Sequence, residues 1–171
     1  MGVTIHFEGQ LKSDNNFEEL IVVAKNFAEL NEMDFNLFEE SNKVLQRVKD
    51  ESDWDYEGLT RGIKIQPDEN SDPLWLEFDK DKYVQEYCKT QFVEKGIHMK
   101  IIELLKQIEP YFKELIVSDE GEYWGTSDPI LLQEHLDNCF SAIEEAKLEN
   151  ANLSGPFRVK GNRIVDLMSN E

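Results

Sequence analysis

The sequence predicts an α+β fold: a single domain with a mixed or mainly antiparallel sheet and about three helices packed mainly on one face. Three observations carry this. Apolar residues recur at every second position in several short stretches and at every third or fourth position in longer ones, so the chain alternates between strand and helix periods. Two of the strand-like stretches, ending at Ile65 and starting at Leu74, are joined by QPDENSDP, a run of turn residues that suits a hairpin. The chain has 171 residues, 40% of them hydrophobic, enough to bury one sizeable core and too many for global disorder.

Taken in order, Val3, Ile5 and Phe7 alternate with Thr4, His6 and Glu8, which is a half-buried strand with His6 facing outward. Ser13 and Asp14 offer a cap to a helix whose apolar face runs through Phe17, Leu20, Ile21, Ala24, Phe27 and Ala28. Residues 34–39 return as a second strand, so the opening reads as a compact strand–helix–strand unit. Val44, Leu45 and Val48 fit either a helix or a strand. Ile63 and Ile65, then Leu74, Leu76 and Phe78, mark two further strands, and 83–92 reads as a strand or an irregular approach to the next helix.

Gly96 precedes a helical stripe of Ile97, Ile101, Leu104, Leu105 and Ile108, which Pro110 ends. Leu115, Ile116 and Val117 form a short apolar strand. Asp119-Glu120-Gly121 is a turn, after which Glu122, Tyr123 and Trp124 return as a hairpin. Ser127 and Asp128 ahead of Pro129 start the last helix, with Leu132, Leu136, Cys139, Ile143 and Ala146 on one face. Residues 1–150 make up the domain. Residues 151–171 form a C-terminal extension, locally basic at Arg158, Lys160 and Arg163, where Val159 and Ile164 around Gly161 fit either a small hairpin or a simply docked extension.

The charge balance narrows the function classes. Asp and Glu number 36 against 18 Lys and Arg, a formal net charge of −18. Such a surface repels phosphate backbones and attracts basic proteins, so no direct nucleic-acid binding is expected. No run approaches a membrane span and the N-terminus lacks a basic leader, so the expected location is cytoplasmic. Cys88 and Cys139, far apart in sequence, suit reduced thiols. There is no phosphate-binding glycine loop, no nucleophile elbow and no HExxH helix.

Three groups of residues could carry chemistry. Asp119, Glu120 and Glu122 follow a buried strand and are hard oxygen ligands suited to a divalent metal, or bases if buried. A chain path antiparallel to the preceding helix would carry them back toward His98, giving a histidine–carboxylate site. The alternative is a plain turn and a surface histidine. Between residues 50 and 57, Asp53, Asp55, Glu57 and Gly58 match half of a calcium loop, but Lys64 stands where the closing Glu belongs, so a solvated acidic loop is expected. His135 and Cys139 share a helix face, yet Cys139 belongs to the apolar stripe and no close ligand pair accompanies it, so zinc is not expected.

The stretches TIHFEG at 4–9, TQF at 90–92, His98, the leucine pair at 104–105 and DEGEYW at 119–124 together resemble a group of small acidic bacterial proteins with no assigned activity. The resemblance runs from the first strand to the last helix. It implies a bacterial cytosolic protein and adds weight to 98 and 119–124 as a site.

Two functions follow as expectations. The first is a non-enzymatic interaction module, immunity- or inhibitor-like, that binds a basic protein without a cofactor. Its contacts would be Asp53, Trp54, Asp55, Tyr56, Tyr123 and Trp124. The second is a small divalent-metal-dependent hydrolase using His98, Asp119, Glu120 and Glu122.

Overall fold

Alternation decides the first element. In β1 (Thr4–Leu11) the side chains of Ile5, Phe7 and Leu11 are buried, while His6 is exposed and Glu8 and Gln10 half-buried. A computed structural model describes residues 2–49 and 52–170, the side chains of Lys49, Ser52 and Asp53 excepted. The Ser13 hydroxyl accepts the Asn16 amide and so starts α1 (Asp14–Leu30), which buries Phe17, Leu20, Ala24, Phe27 and Ala28.

A long strand, β2 (Asp34–Leu45), follows, then a short ladder of β3 (Val48–Lys49) and β4 (Ser52–Asp53). Next come β5 (Tyr56–Gln66), β6 (Leu74–Phe78) and β7 (Tyr83–Lys89). The ambiguous residues Val44 and Leu45 are strand because they pair with Glu57 and Tyr56, partners that local periodicity cannot see. Glu57 and Gly58 of the expected acidic loop are likewise strand, since β5 begins at Tyr56, and the side chain of Asp53 lies outside the described residues.

The helix α2 (Lys95–Ile108) buries Ile101, Ile102, Leu104, Leu105 and Ile108. A tight turn at Glu109–Tyr111, holding Pro110, leads into β8 (Phe112–Asp119). The expected hairpin at 122–124 is instead a one-turn helix, α3 (Tyr123–Thr126). Glu122 takes a left-handed φ of 58°, and the Asp119 carboxylate accepts the Trp124 amide, which winds the chain up rather than extending it. In α4 (Pro129–Glu149), Asp128 caps and Pro129 opens the helix as the sequence indicates. The tail adds β9 (Leu153–Ser154), β10 (Phe157–Arg158), β11 (Ile164–Val165) and β12 (Met168–Ser169).

These elements form an α+β single domain that has, among the described residues, four helices, three long and one of a single turn. Among the described residues the strands lie in two three-stranded sheets, ordered β7-β1-β8 and β2-β5-β6, with short two-stranded ladders besides, and every pairing is antiparallel. The opening strand–helix–strand is therefore not a paired unit, because β1 and β2 belong to different sheets. The main core lies between the inner faces of the sheets and helices α1 and α2. Phe78 of β6 joins the parts, its ring 5.8 Å from Phe17 of α1 and 6.1 Å from Phe112 of β8. A second, smaller cluster seats Leu132, Leu136 and Cys139 of α4 on Val3. Among the described residues no helix is long and apolar enough to cross a membrane.

The tail is pinned by charge. Asp72, itself buried, accepts the amides of Lys89 and Ile164, and Arg163 approaches it at 3.4 Å. Lys89 pairs with Asp166 at 2.8 Å.

Candidate functional site

Position 98 lies three, four and seven residues before Ile101, Ile102 and Leu105, so on a helix it shares their buried face. The structure places His98 there with no solvent exposure. A surface histidine it is not. Its Nδ1 lies 2.6 Å from Thr90 Oγ1, and its Nε2 lies 2.9 Å from Asp119 Oδ1. The second contact is close but is not a hydrogen bond of good geometry. In the neutral ring Nε2–H faces the carboxylate and Nδ1 accepts the Thr90 proton. In the charged ring both nitrogens donate, and Thr90 turns its proton to the Val3 carbonyl, 3.4 Å away.

Asp119 ends β8 and accepts two more bonds, from the amides of Gly121 at 2.8 Å and Trp124 at 2.9 Å. Burial pushes its pKa up, but the contact with His98 and the two amides outweigh that and hold it below the usual carboxylate value. Gly121 is needed here for space. A Cβ on it would stand 3.1 Å from the His98 ring and 2.7 Å from Leu132.

Hydroxyl, imidazole and carboxylate thus stand in the order of a nucleophilic triad. The three side chains are sealed, however, with 0% exposure at Thr90 and 2% at the Asp119 side chain. A substrate cannot reach the hydroxyl. What the set does is tie the segment after β7, the start of α2 and the end of β8 to one another.

The neighbouring carboxylates turn elsewhere. Glu120 meets His6 of β1 at 3.0 Å, and Glu122 meets His135 of α4 at 2.6 Å. The chain has three histidines, and each pairs with a different carboxylate of the 119–122 turn. The structure therefore brings His98 and Asp119 together and does not bring Glu120 and Glu122 to the same point. Among the described residues no group of three or more His, Cys, Asp and Glu is placed to hold a metal ion. Cys88 and Cys139 are each buried as free thiols.

The aromatic residues expected at an interface have a different neighbour. Trp54, Tyr56 and Tyr83 surround the guanidinium of Arg47 at 5.7, 5.6 and 4.9 Å. Arg47 is 2% exposed and pairs with Asp79 at 2.5 Å. Asp55 is exposed beside them. Residues 50 and 51 and the side chain of Asp53 lie outside the described residues. Tyr123 and Trp124 are half-buried against the core, with the Lys106 ammonium 5.5 Å from the Trp124 ring.

Sequence reasoning missed an open concavity. A groove of about 770 Å³ runs over the outer face of β7-β1-β8, walled by the end of β2, by Val48 and by Arg163 of the tail. Its floor is two cross-strand rows, Ile116–Glu8–Gln85 and Ser118–His6–Tyr87. The polar alternation His6, Glu8 in β1 and Tyr83, Gln85, Tyr87 in β7 was the available signal. The wall that makes the face concave was not legible, because β2 and the tail arrive from distant parts of the chain.

At one end of the groove Arg163 is already matched. It pairs with Glu86 at 2.9 Å, bonds the Tyr87 carbonyl at 2.6 Å and stacks 4.2 Å from the Tyr87 ring. Burial lifts the Glu86 pKa above its usual value even with Arg163 pulling it down. At the other end Glu8 is held by Tyr83 and Gln85. Comparison with family models, with curated proteins and with solved structures finds no match, so the groove and the buried set are read from their own geometry.

Proposed function

We propose that the protein is a non-enzymatic acidic interaction module that binds a basic protein partner, in the manner of an immunity or inhibitor protein of the bacterial cytoplasm. The observation that supports this most is the pairing of a net charge of −18 with an open groove whose polar floor includes a carboxylate, Glu8, that has no ion-pair partner among the described residues. The closed state of Thr90, His98 and Asp119 supports it from the other side, since the residues best arranged for catalysis face the core. A hydrolase built on His98, Asp119, Glu120 and Glu122 finds no such support, because those carboxylates diverge to separate histidines.

The test is a tagged pull-down at low ionic strength, eluted in salt steps and read by mass spectrometry. One basic protein released stoichiometrically as salt rises is the expected result. A preparation that retains no partner at low salt, or a partner held equally at high salt, overturns the reading.

A further inference from the structure

We infer that the groove over the outer face of β7-β1-β8 takes an extended segment of the partner carrying one lysine or arginine, whose cationic head meets Glu8. This rests on the reading of a basic partner and names its site. Tyr83 Oη donates to Glu8 Oε2 at 2.5 Å and Gln85 Nε2 donates to the same oxygen at 3.1 Å. Both donors are neutral, so they orient the carboxylate without cancelling its charge, and among the described residues Oε1 accepts no hydrogen bond.

The support beneath Glu8 is itself hydrogen-bonded in place. Gln85 is locked to Val48, accepting its amide at 2.9 Å and donating to its carbonyl at 2.7 Å. Burial and Glu8 together push the Tyr83 pKa up to about 12, so the phenol remains a donor across the physiological range. A carboxylate fixed in advance in this way costs a ligand less ordering on binding.

The rest of the groove suits the stem of such a residue and its neighbours. Val44, Val48 and Ile116 are large apolar side chains left exposed around Glu8, and Tyr87 adds a half-exposed ring. The aliphatic part of a lysine or arginine lies along surfaces of this kind while its head reaches a carboxylate. Arg163 already satisfies Glu86, so Glu8 is the groove carboxylate left for an incoming cation. The formal charge of −18 draws a basic chain toward it from a distance.

The experiment is an NMR titration of the isotope-labelled full chain with a capped Val-Ala-Lys-Ala-Val peptide, and with the same peptide carrying Nε-acetyllysine. The lysine peptide is expected to shift the amide signals of Glu8, Gln85 and Ile116. Acetylation, or the Glu8→Gln variant, is expected to weaken binding about tenfold or more. Ile116→Lys, which stands directly opposite Glu8 in the strand pairing and sets a cation beside its carboxylate, is expected to abolish it. Equal binding of the two peptides, shifts confined to residues outside the groove, unchanged binding by Glu8→Gln, or no binding at millimolar peptide overturns the inference. If the titration fails while the pull-down still yields a salt-released basic partner, this site is wrong and the interaction module stands. If the pull-down yields none, the broader reading falls as well.

Discussion

His98 and Asp119 meet inside the molecule, with Nε2 2.9 Å from Oδ1 and neither side chain open to solvent beyond 2%. The contact joins residues from two elements, α2 and β8, and it fixes the turn from which α3 and α4 leave the sheet. Removing Asp119 leaves the buried His98 ring facing no acceptor and takes the acceptor from the Gly121 and Trp124 amides, and a buried donor left unpaired costs far more than an exposed one.

Asp119→Ala is therefore expected to destabilise the fold by several kcal/mol, since each donor that loses its buried acceptor costs about 1–3 kcal/mol. The half-exposed pairs of the same turn act as controls, with His6→Ala and His135→Ala expected to change stability by about 0–1 kcal/mol. Urea unfolding followed by circular dichroism measures all three. Equal losses at Asp119 and at His135 would remove the special role of the buried pair.

The depressed Asp119 pKa gives a pH dependence with a definite sign. Its folded value lies below the unfolded one, so its contribution is complete above the unfolded carboxylate range and is lost as pH falls through the folded value. The wild type should thus lose stability between about pH 5 and pH 2, as linkage requires, and Asp119→Asn should show a shallower fall over the same window. Urea midpoints collected across that window, on both proteins, decide it. Parallel curves would mean that other carboxylates carry the acid limb.

Gly121→Ala tests space rather than backbone freedom. The added methyl would press on the His98 ring and on Leu132, and overpacking of this kind costs about 1–3 kcal/mol. A shifted His98 ring signal in the NMR spectrum should accompany the lower urea midpoint. An unchanged ring signal would place the adjustment in Leu132 alone.

Arg47→Lys is expected to be far from neutral although it keeps the charge. The guanidinium bonds Asp79 and the Tyr83 carbonyl together and lies among three aromatic rings, a planar arrangement that an ammonium cannot reproduce. Loss of one buried bond of this type costs about 1–3 kcal/mol. A changed emission maximum from Trp54 should report the altered cage, and an unaltered spectrum with full stability would show that the cage does not depend on guanidinium geometry.

Where the fold was legible, it was legible through local repetition. The stripe Leu132, Leu136, Cys139, Ile143 with its Asp128 cap and Pro129 start is contained within one helix, and so is the Ser13 cap of α1. The alternation in β1 and β6 likewise needs no distant partner. Val44 and Leu45 were ambiguous because two or three apolar residues have no period of their own, and pairing with β5 decided them. Residues 122–124 were misread as a returning strand because the bond that winds them into α3 comes from the Asp119 side chain, which no pattern of hydrophobicity records.

By itself, then, the sequence determined the α+β class, the three long helices, most of the strands, the acidic charge balance, and the attention due to His98 and Asp119. Each of these follows from composition or from contacts within a few residues. Tertiary structure alone decided that His98 and Asp119 touch, that Glu120 and Glu122 part company with them, and that Trp54 and Tyr56 flank Arg47. It also decided that the outer face of β1 becomes a groove. The reason is physical: burial, pairing and concavity depend on chain segments as much as 157 residues apart, as His6 and Arg163 are in the groove, and nothing in the neighbourhood of either residue encodes that approach.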